Sequence, residues 1–306
     1  MKHNKKSSHS ASHLNQAREY WWNEDFLALL ADRLELSDCE SLADIGCGEG
    51  MMAFKFAPYL SDGAAVYGVD QEPRYLRKAG KLAKKQKLDS VSFDFRVGSA
   101  YQLPLEDDSV DISICQTLLI HLDDPLAGLK EMMRITRPGG LVVALEPNNM
   151  VQHLLFDRYR DTEYEVEDIL RVLEIRLRIE KGKKLEGLGF NSLGDVLPDL
   201  YLKAGLEETQ VWLNDKALQL IPPYDTREQR FRAGQMITWL EEGSGGLGYE
   251  ENLQYYLAGG GTRKVFDAYW KTVEAYKVSL LNQLKNQTYI SSGGGVMYVT
   301  AGRVPD

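Results

Sequence analysis

Short apolar runs alternate with segments of helical period between residues 41 and 145. Runs this short and this apolar are typical of strands that are buried on both faces. Helices between such strands predict a parallel sheet covered on both sides, which is an α/β fold. The predicted strands are 41–45, 64–69, 91–97, 110–115 and 141–145; the predicted helices are 51–60, 72–87 and 124–136, the last punctuated by Pro138-Gly139-Gly140.

The alternation of short apolar runs and helical segments does not continue on either side of this region. A helical pattern precedes it over 15–36, and long charged helices are predicted over 150–183, 226–242 and 250–285. Sheet-like elements follow the first of these helices and end the chain. They are a sheet-covering helix at 191–204 and strands at 208–213 and 295–301. We therefore expect one domain over 15–306. It has a mostly parallel seven-stranded sheet with helices on both faces, and helical lid insertions at about 150–190 and 216–290.

Residues 1–13 are polar and basic, and they contain His3, His9 and His13. Such a segment could be a metal-binding or anion-binding arm. It offers nothing apolar to anchor it, and we expect a disordered tail over 1–14.

The charge and cysteine content exclude several classes of protein. The 306-residue chain carries a formal net charge of -9, which argues against a general nucleic-acid binder. No apolar run approaches the roughly 18 residues that span a bilayer. Cys39, Cys47 and Cys115 are too few and too scattered for a disulfide framework or a structural zinc site, and we expect no metal. With no recognisable secretory signal, the sequence predicts a cytoplasmic protein with reduced thiols.

The first predicted strand ends in the glycine-rich stretch Asp44-Ile45-Gly46-Cys47-Gly48-Glu49-Gly50. Glycines at alternate positions allow a tight turn and a close approach of ligand to backbone, and the next helix would point free N–H groups at that ligand. The alternative is a strand-to-helix turn without a ligand. A dinucleotide fingerprint would need glycine where Met51 stands, and no Gly-Lys-Ser/Thr follows, so NAD, FAD and a Walker loop are disfavoured.

Asp70 ends the second predicted strand, 22 residues beyond Gly48. A carboxylate there can accept hydrogen bonds from both ribose hydroxyls of an adenosine. It could instead be the N-cap of the following helix. The glycine turn before it favours the ribose role.

These segments together resemble the class I S-adenosylmethionine-dependent methyltransferases. Asp44 to Gly50 is similar to their first motif and Val69-Asp70 to their second. The segments 110–116 and 137–141 resemble later motifs. The resemblance covers about 42–147 and is greatest to the small-molecule branch that includes the quinone-biosynthesis methyltransferases. It implies a Rossmann-like sheet, S-adenosylmethionine as cofactor and S-adenosylhomocysteine as product.

The resemblance also implies roles for single residues. Asp44 would orient the ammonium group, the glycine turn would line the methionine end, and Asp70 would hold the ribose. Where many members carry an acid after the third strand, this chain has Ser99 and Ala100, and a neutral bond there would be weaker. The implied cofactor residues are Asp44, Gly46, Cys47, Gly48, Gly50, Asp70, Gln71, Ser99, Ala100 and Gln116.

Methyl transfer from a sulfonium is a direct displacement, so the protein mainly aligns the reactants and excludes water. A base is needed only for some nucleophiles. His121, shortly after the fourth strand, and Glu146, at the end of the fifth, are the candidates. Each has a structural alternative: His121 as a packing residue and Glu146 as the acceptor of a loop hydrogen bond.

Three functions remain open at this point. The first is methyl transfer to a small-molecule acceptor under a helical lid. The second is a cofactor-binding or regulatory protein without catalysis, because a fold alone does not establish activity. The third is a protein or RNA methyltransferase, which the acidic charge and the expected lid disfavour. The sequence names neither the acceptor nor the oligomeric state.

Overall fold

The computed structural model describes residues 16–86, 88–154, 165–243 and 248–306. The expected tail at 1–14 and parts of both expected insertions lie outside these residues. The chain divides into two compact units. The sheet unit comprises Trp22–Asn148, Gly189–Lys216 and Val296–Asp306, and the helical unit comprises the described residues of Met1–Trp21, Asn149–Leu188 and Ala217–Gly295.

The sheet has seven strands in the order β3-β2-β1-β4-β5-β7-β6. β1 to β5 are parallel, and β7 runs antiparallel to both of its neighbours. The prediction of a mostly parallel seven-stranded sheet is therefore confirmed. The strands are β1 Ser41–Ile45, β2 Ala65–Asp70, β3 Ser92–Val97, β4 Val110–Gln116, β5 Thr136–Asn148, β6 Glu207–Leu213 and β7 Val296–Arg303.

The helices follow the expected alternation, although several are shorter than the sequence pattern suggests. The prediction of a helix over 51–60 is wrong in its second half, because the α-helix ends at Phe56 and continues as a 3₁₀ turn, Ala57–Tyr59. The α-helices are α1 Glu24–Arg33, α2 Met51–Phe56, α3 Pro73–Ala83, α4 Pro125–Ile135, α5 Val166–Leu185, α6 Leu197–Ala204, α7 Arg227–Glu242, α8 Tyr249–Ala258 and α9 Arg263–Lys285.

β4 lies at the centre of the sheet, and all seven of its residues are buried. Ser113, one of its polar members, finds a partner inside the core. The Thr136 hydroxyl donates to Ser113 Oγ at 2.9 Å and also lies 2.8 Å from the carbonyl oxygen of Met132. Buried hydroxyls bonded in this way allow a strand with polar residues to stay fully covered.

The fifth strand is longer than predicted. Pro138-Gly139-Gly140 does not simply punctuate a helix but forms the first part of β5. The amide of Gly139 donates to the carbonyl of Val304, and the amide of Val304 donates to the carbonyl of Gly140, both at 2.9 Å. These bonds come from the far end of the chain, and a local sequence pattern cannot report them.

Close backbone contacts organise the helical unit. A Cβ added to Gly182 on α5 would lie 1.8 Å from the carbonyl oxygen of Tyr255 on α8, so only glycine allows this approach. The single helical stretch predicted over 250–285 is two helices, because the chain turns at the glycines 259–261. There Arg178 donates to the carbonyl of Gly260 at 2.9 Å.

Aromatic side chains fill the core of the helical unit. Phe266 stacks on Trp270 with 5.4 Å between ring centroids, and Tyr249 and Tyr256 pack against the same ring of Phe266. A lid role for this unit stays a prediction. In the described part of the chain, no helix is long and apolar enough to cross a bilayer.

Asp111 ties two strands together at the amino-terminal edge of the sheet. Its Oδ2 accepts hydrogen bonds from the amides of Glu40 at 2.6 Å and Ser41 at 2.8 Å, and its Oδ1 pairs with Arg137 at 2.7 Å. Asp111 is buried, whereas the Arg137 side chain is 56% exposed. The two amide bonds therefore matter more to stability than the ion pair, which water screens.

We expect Asp111→Ala to lower the free energy of unfolding by about 2–4 kcal/mol, because two backbone donors lose a charged acceptor. Arg137→Ala is the matched control and should cost less than about 1 kcal/mol. Urea unfolding followed by circular dichroism measures both. Equal losses in the two variants would show that the ion pair, not the amide bonds, holds this edge.

Candidate active site

Five parallel strands, β1 to β5, bring the predicted site residues to one edge of the sheet. In the parallel register, Ile45 of β1 lies level with Val69 of β2 and with Cys115 of β4. The next residues along the chain, Gly46, Asp70 and Gln116, therefore lie side by side where the strands end. Open α/β sheets bind ligands at this carboxyl edge.

The glycine loop after β1 depends on backbone conformations that only glycine adopts freely. Gly46, Gly48 and Gly50 have φ angles of 69°, 55° and 85°. The amides of Gly46 and Cys47 donate to the carbonyl of Val69 at 2.7 and 3.1 Å, which fastens the loop to the end of β2. A Cβ on Gly46 would lie 2.8 Å from Leu118 Cδ1, so the loop also needs glycine for space.

Asp70 joins the glycine loop to the start of α3. Its Oδ2 accepts from the amide of Gly48 at 2.9 Å, and its Oδ1 accepts from the amide of Glu72 at 2.8 Å. The N-cap of α3 is Glu72, so Asp70 is not the helix cap that the sequence left open as an alternative. Each carboxylate oxygen has a second lone pair, and the half-buried group can still accept from a ligand hydroxyl. Burial raises the pKa of Asp70, and the two amide bonds oppose that rise.

Asp44 lies beneath the glycine loop and is 2% exposed. Its Oδ2 accepts from the amide of Ala53 in the first turn of α2 at 3.1 Å. Burial raises the pKa of Asp44 to about 7, the amide of Ala53 lowers it, and the charge of Asp70 raises it further. This carboxyl is therefore poised between its neutral and charged forms near neutral pH.

Cys47 is buried within the loop, and its thiol lies 3.8 Å from the carbonyl oxygen of Gly48. Burial, followed by the charges of Asp44 and Asp70, raises the pKa of the Cys47 thiol well above 9. A thiol that stays protonated is neither a good nucleophile nor a good metal ligand. Among the described residues, no three His, Cys, Asp or Glu side chains cluster as metal ligands.

The predicted adenine-side residues lie at the ends of β2 and β3. Gln71 is exposed and directly follows β2. Ser99 is exposed as well, and its hydroxyl accepts from the amide of Tyr101 at 3.2 Å, while Ala100 packs against the sheet core. The Ser99 hydroxyl is thus partly engaged within its own turn.

Gln116 is the last residue of β4 and Thr117 follows it, and both carry buried polar groups without hydrogen bonds in the described part of the chain. Both are buried, and Gln116 Nε2 and Thr117 Oγ1 have no hydrogen-bond partner among the described residues. Thr117 has a φ of 50°, which is rare for a β-branched residue. The sequence pointed to Gln116 but not to Thr117, because no local pattern signals a left-handed threonine.

Glu146 holds the turn that carries His121. Its Oε1 accepts from the amides of Leu118 at 2.9 Å and Leu119 at 2.7 Å, and its side chain is fully buried. His121 is exposed at the end of the 3₁₀ turn Leu119–His121, and its amide donates to the carbonyl of Leu118 at 2.9 Å. The two candidate bases therefore occupy different environments, one buried against backbone donors and one open to solvent.

Gly189 packs against the same turn. A Cβ there would lie 2.1 Å from the carbonyl oxygen of Ile120, so the residue must be glycine. The sequence did not single out Gly189 or Leu118. Only the folded chain shows that Gly189 supports the turn of His121 and that Leu118 touches Gly46.

Comparison with known proteins places this edge in a family. Residues 43–144 match the family model described as a methyltransferase domain. An uncharacterised methyltransferase of Schizosaccharomyces pombe is 30% identical over 198 residues, which cover 60% of this chain and 68% of that protein. A demethylmenaquinone methyltransferase of Geobacillus kaustophilus is 31% identical over 129 residues, which cover 42% of this chain and 53% of that protein.

The fold is shared more widely than the sequence. A methyltransferase candidate from Bacillus halodurans superimposes with a TM-score of 0.51 at 17% identity, covering 92% of this chain and all of that one. The fold, the sequence motifs and the relative from Schizosaccharomyces pombe agree. The chain belongs to the class I S-adenosylmethionine-dependent methyltransferases.

Proposed function

We propose that this chain transfers the methyl group of S-adenosylmethionine to a small-molecule acceptor by direct displacement. The observation that carries the proposal is the edge formed by the glycine loop, Asp70 and the end of β4. It offers a loop with glycine at alternate positions, a carboxylate with free lone pairs and a buried amide without a protein partner among the described residues.

The residues present fit the cofactor. The positive φ angles of Gly46, Gly48 and Gly50 hold the loop in a tight turn, and the helix α2 begins directly after it, as a loop that binds a ligand through backbone N–H groups requires. Asp70 would hold the ribose, Asp44 would orient the ammonium group, and Gln71, Ser99 and Ala100 would flank the adenine. Gln116 would use its amide on the methionyl or ribose portion. When bound, the cofactor supplies a methyl group already activated by the positive charge of the sulfonium.

The chain's own contribution is alignment and the reception of a proton. Glu146 accepts from two amides of the turn, and we assign it the positioning of His121. Histidine is the side chain most often used as a general base, so His121 would serve as base or orienting partner for the acceptor nucleophile. A cytoplasmic location stays a prediction.

Two features support a small acceptor. The net charge of -9 disfavours RNA. A demethylmenaquinone methyltransferase, an enzyme named for a small quinone, matches 42% of the chain. We propose reduced naphthoquinones and related phenols as the first acceptors to test.

We expect Asp70→Asn to weaken binding of S-adenosylhomocysteine about ten- to a hundredfold, because a hydrogen bond to a charged group is worth roughly 1.5–3 kcal/mol. Calorimetry with the 2′,3′-dideoxyribose analogue, which lacks both hydroxyls, is the matched control. If Asp70 acts on the ribose, the substitution changes the affinity for the dideoxy analogue much less. The same loss for both ligands would mean that Asp70 acts only through the loop amide of Gly48.

Binding of S-adenosylmethionine should release a proton below pH 7. Asp44 has a pKa of about 7 in the free chain, and a cationic ammonium beside it would favour the carboxylate. Calorimetry at pH 6.5 in two buffers of different ionisation enthalpy should detect release on the order of half a proton. Asp44→Asn should abolish that release and keep the bond to Ala53, and unchanged release would assign the proton to another group.

The same pKa has a consequence for stability without ligand. Because the folded pKa lies above the usual value of 3.8, the protonated carboxyl stabilises the fold below about pH 4. That contribution is lost as the pH rises to about 7. In Asp44→Asn, the free energy of unfolding should no longer fall between about pH 4 and pH 7 for this reason, which urea unfolding at several pH values measures.

The function itself is tested by S-adenosylhomocysteine release from the full chain with S-adenosylmethionine and a panel of reduced 1,4-naphthoquinone, catechol and ethanolamine. Turnover of a small molecule is expected. Methylation confined to added protein or RNA would overturn the proposal.

With an acceptor in hand, His121→Ala should slow turnover about 10²–10⁴-fold and leave cofactor affinity within about twofold. His121→Asn keeps a hydrogen-bonding side chain without the base. Recovery of turnover in His121→Asn identifies an orienting role, and turnover near wild type in both variants removes His121 from the reaction.

A further inference from the structure

The end of β4 holds polar groups that the fold itself does not use. The hydroxyl of Thr117 is buried without a partner among the described residues, as is the amide nitrogen of Gln116 beside it. A buried polar group without a partner destabilises a protein. A β-branched residue at a φ of 50° adds backbone strain. Unpartnered buried groups and backbone strain are unfavourable, and features of this kind cluster at functional sites.

Thr117 lies on the opposite side of the glycine loop from Asp70. Its amide donates to the carbonyl of Leu145 at 3.0 Å, and the next residue, Leu118, touches Gly46. β1 separates β2 from β4 in the sheet. A cofactor whose ribose lies at Asp70 and whose methionyl part follows the loop therefore extends toward the end of β4.

The hydroxyl has no structural task at this position. The backbone bond to Leu145 needs only the amide of Thr117, and glycine or asparagine would adopt the left-handed conformation with less strain. The residue is 9% exposed, and Oγ1 itself is covered. Rotation about χ1 moves Oγ1 between staggered positions, so the hydroxyl can change its direction when a ligand binds.

We propose that the hydroxyl of Thr117 faces the group being transferred and makes a specificity-determining hydrogen bond to a polar atom of the acceptor. This inference rests on the proposed function. It names the acceptor class as molecules that present an oxygen or nitrogen next to the methyl group. Thr117 binds and selects the acceptor, while proton transfer belongs to His121.

Sinefungin tests the proposal without an identified acceptor. An amine-bearing carbon replaces the methylated sulfonium in this analogue, so the amine marks the position of the transferred group. Calorimetry on the full chain compares its affinity with that of S-adenosylhomocysteine, which has nothing at that position. In Thr117→Val the ratio of the two affinities should shift about tenfold against sinefungin, and in Thr117→Ser it should stay as in the wild type.

Thr300 provides a matched control. It lies in β7, is fully buried, and its hydroxyl likewise has no partner among the described residues. Thr300→Val makes the same chemical change away from the carboxyl ends of β1, β2 and β4. It should leave both affinities unchanged.

Thermal unfolding without ligand gives an independent result. Loss of an unpartnered hydroxyl should not lower the Tm of Thr117→Val, and Thr117→Gly should relieve strain while losing the preference for sinefungin. A Tm lowered by several degrees in Thr117→Val would show that the hydroxyl is structural and overturn the proposal, as would an unchanged affinity ratio. If S-adenosylhomocysteine does not bind the wild type, the proposed function fails as well, so the two failures are distinguishable.

Discussion

The site depends on the bonds that fasten the glycine loop to the end of β2. Val69 accepts the amides of Gly46 and Cys47, and Asp70 accepts the amide of Gly48. These bonds form only because the loop takes up positive φ angles at its glycines. They determine where α2 begins and which way the carboxylate of Asp70 points. A side chain at Gly46 would collide with Leu118 and separate the loop from β4.

Three buried carboxylates and one half-buried carboxylate perform the same task in the sheet unit. Asp44, Asp70, Asp111 and Glu146 each accept backbone amides of a neighbouring loop or turn. A charged acceptor makes stronger bonds than a neutral one, so each anchor holds its loop firmly. Their positions in the sheet give these anchors different roles. Asp111 lies at the amino-terminal edge and serves stability, whereas the other three lie where parallel sheets bind their ligands.

The sheet was largely predictable, and the helical segments were less so. β1 and β4 are apolar runs buried on both faces, so their period alone identifies them. The start of β5 escaped prediction because its partner, Val304, lies more than 160 residues further along the chain. The break between α8 and α9 escaped as well, although the glycines at 259–261 were visible. These glycines allow a close approach to the backbone of α5, and a local sequence pattern cannot predict that contact.

The sequence by itself determined the α/β class, the glycine loop, the acidic residue after β2 and the absence of a dinucleotide fingerprint. Each follows from the chemistry of residues within one short window. Only the tertiary structure decided that Asp70 bonds the amide of the glycine loop, and that Glu146 anchors the turn of His121. It alone revealed that Thr117 is strained and its hydroxyl unpartnered among the described residues. Hydrogen-bond partners and backbone strain are set by groups distant in the chain, so a pattern of neighbouring residues carries no record of them.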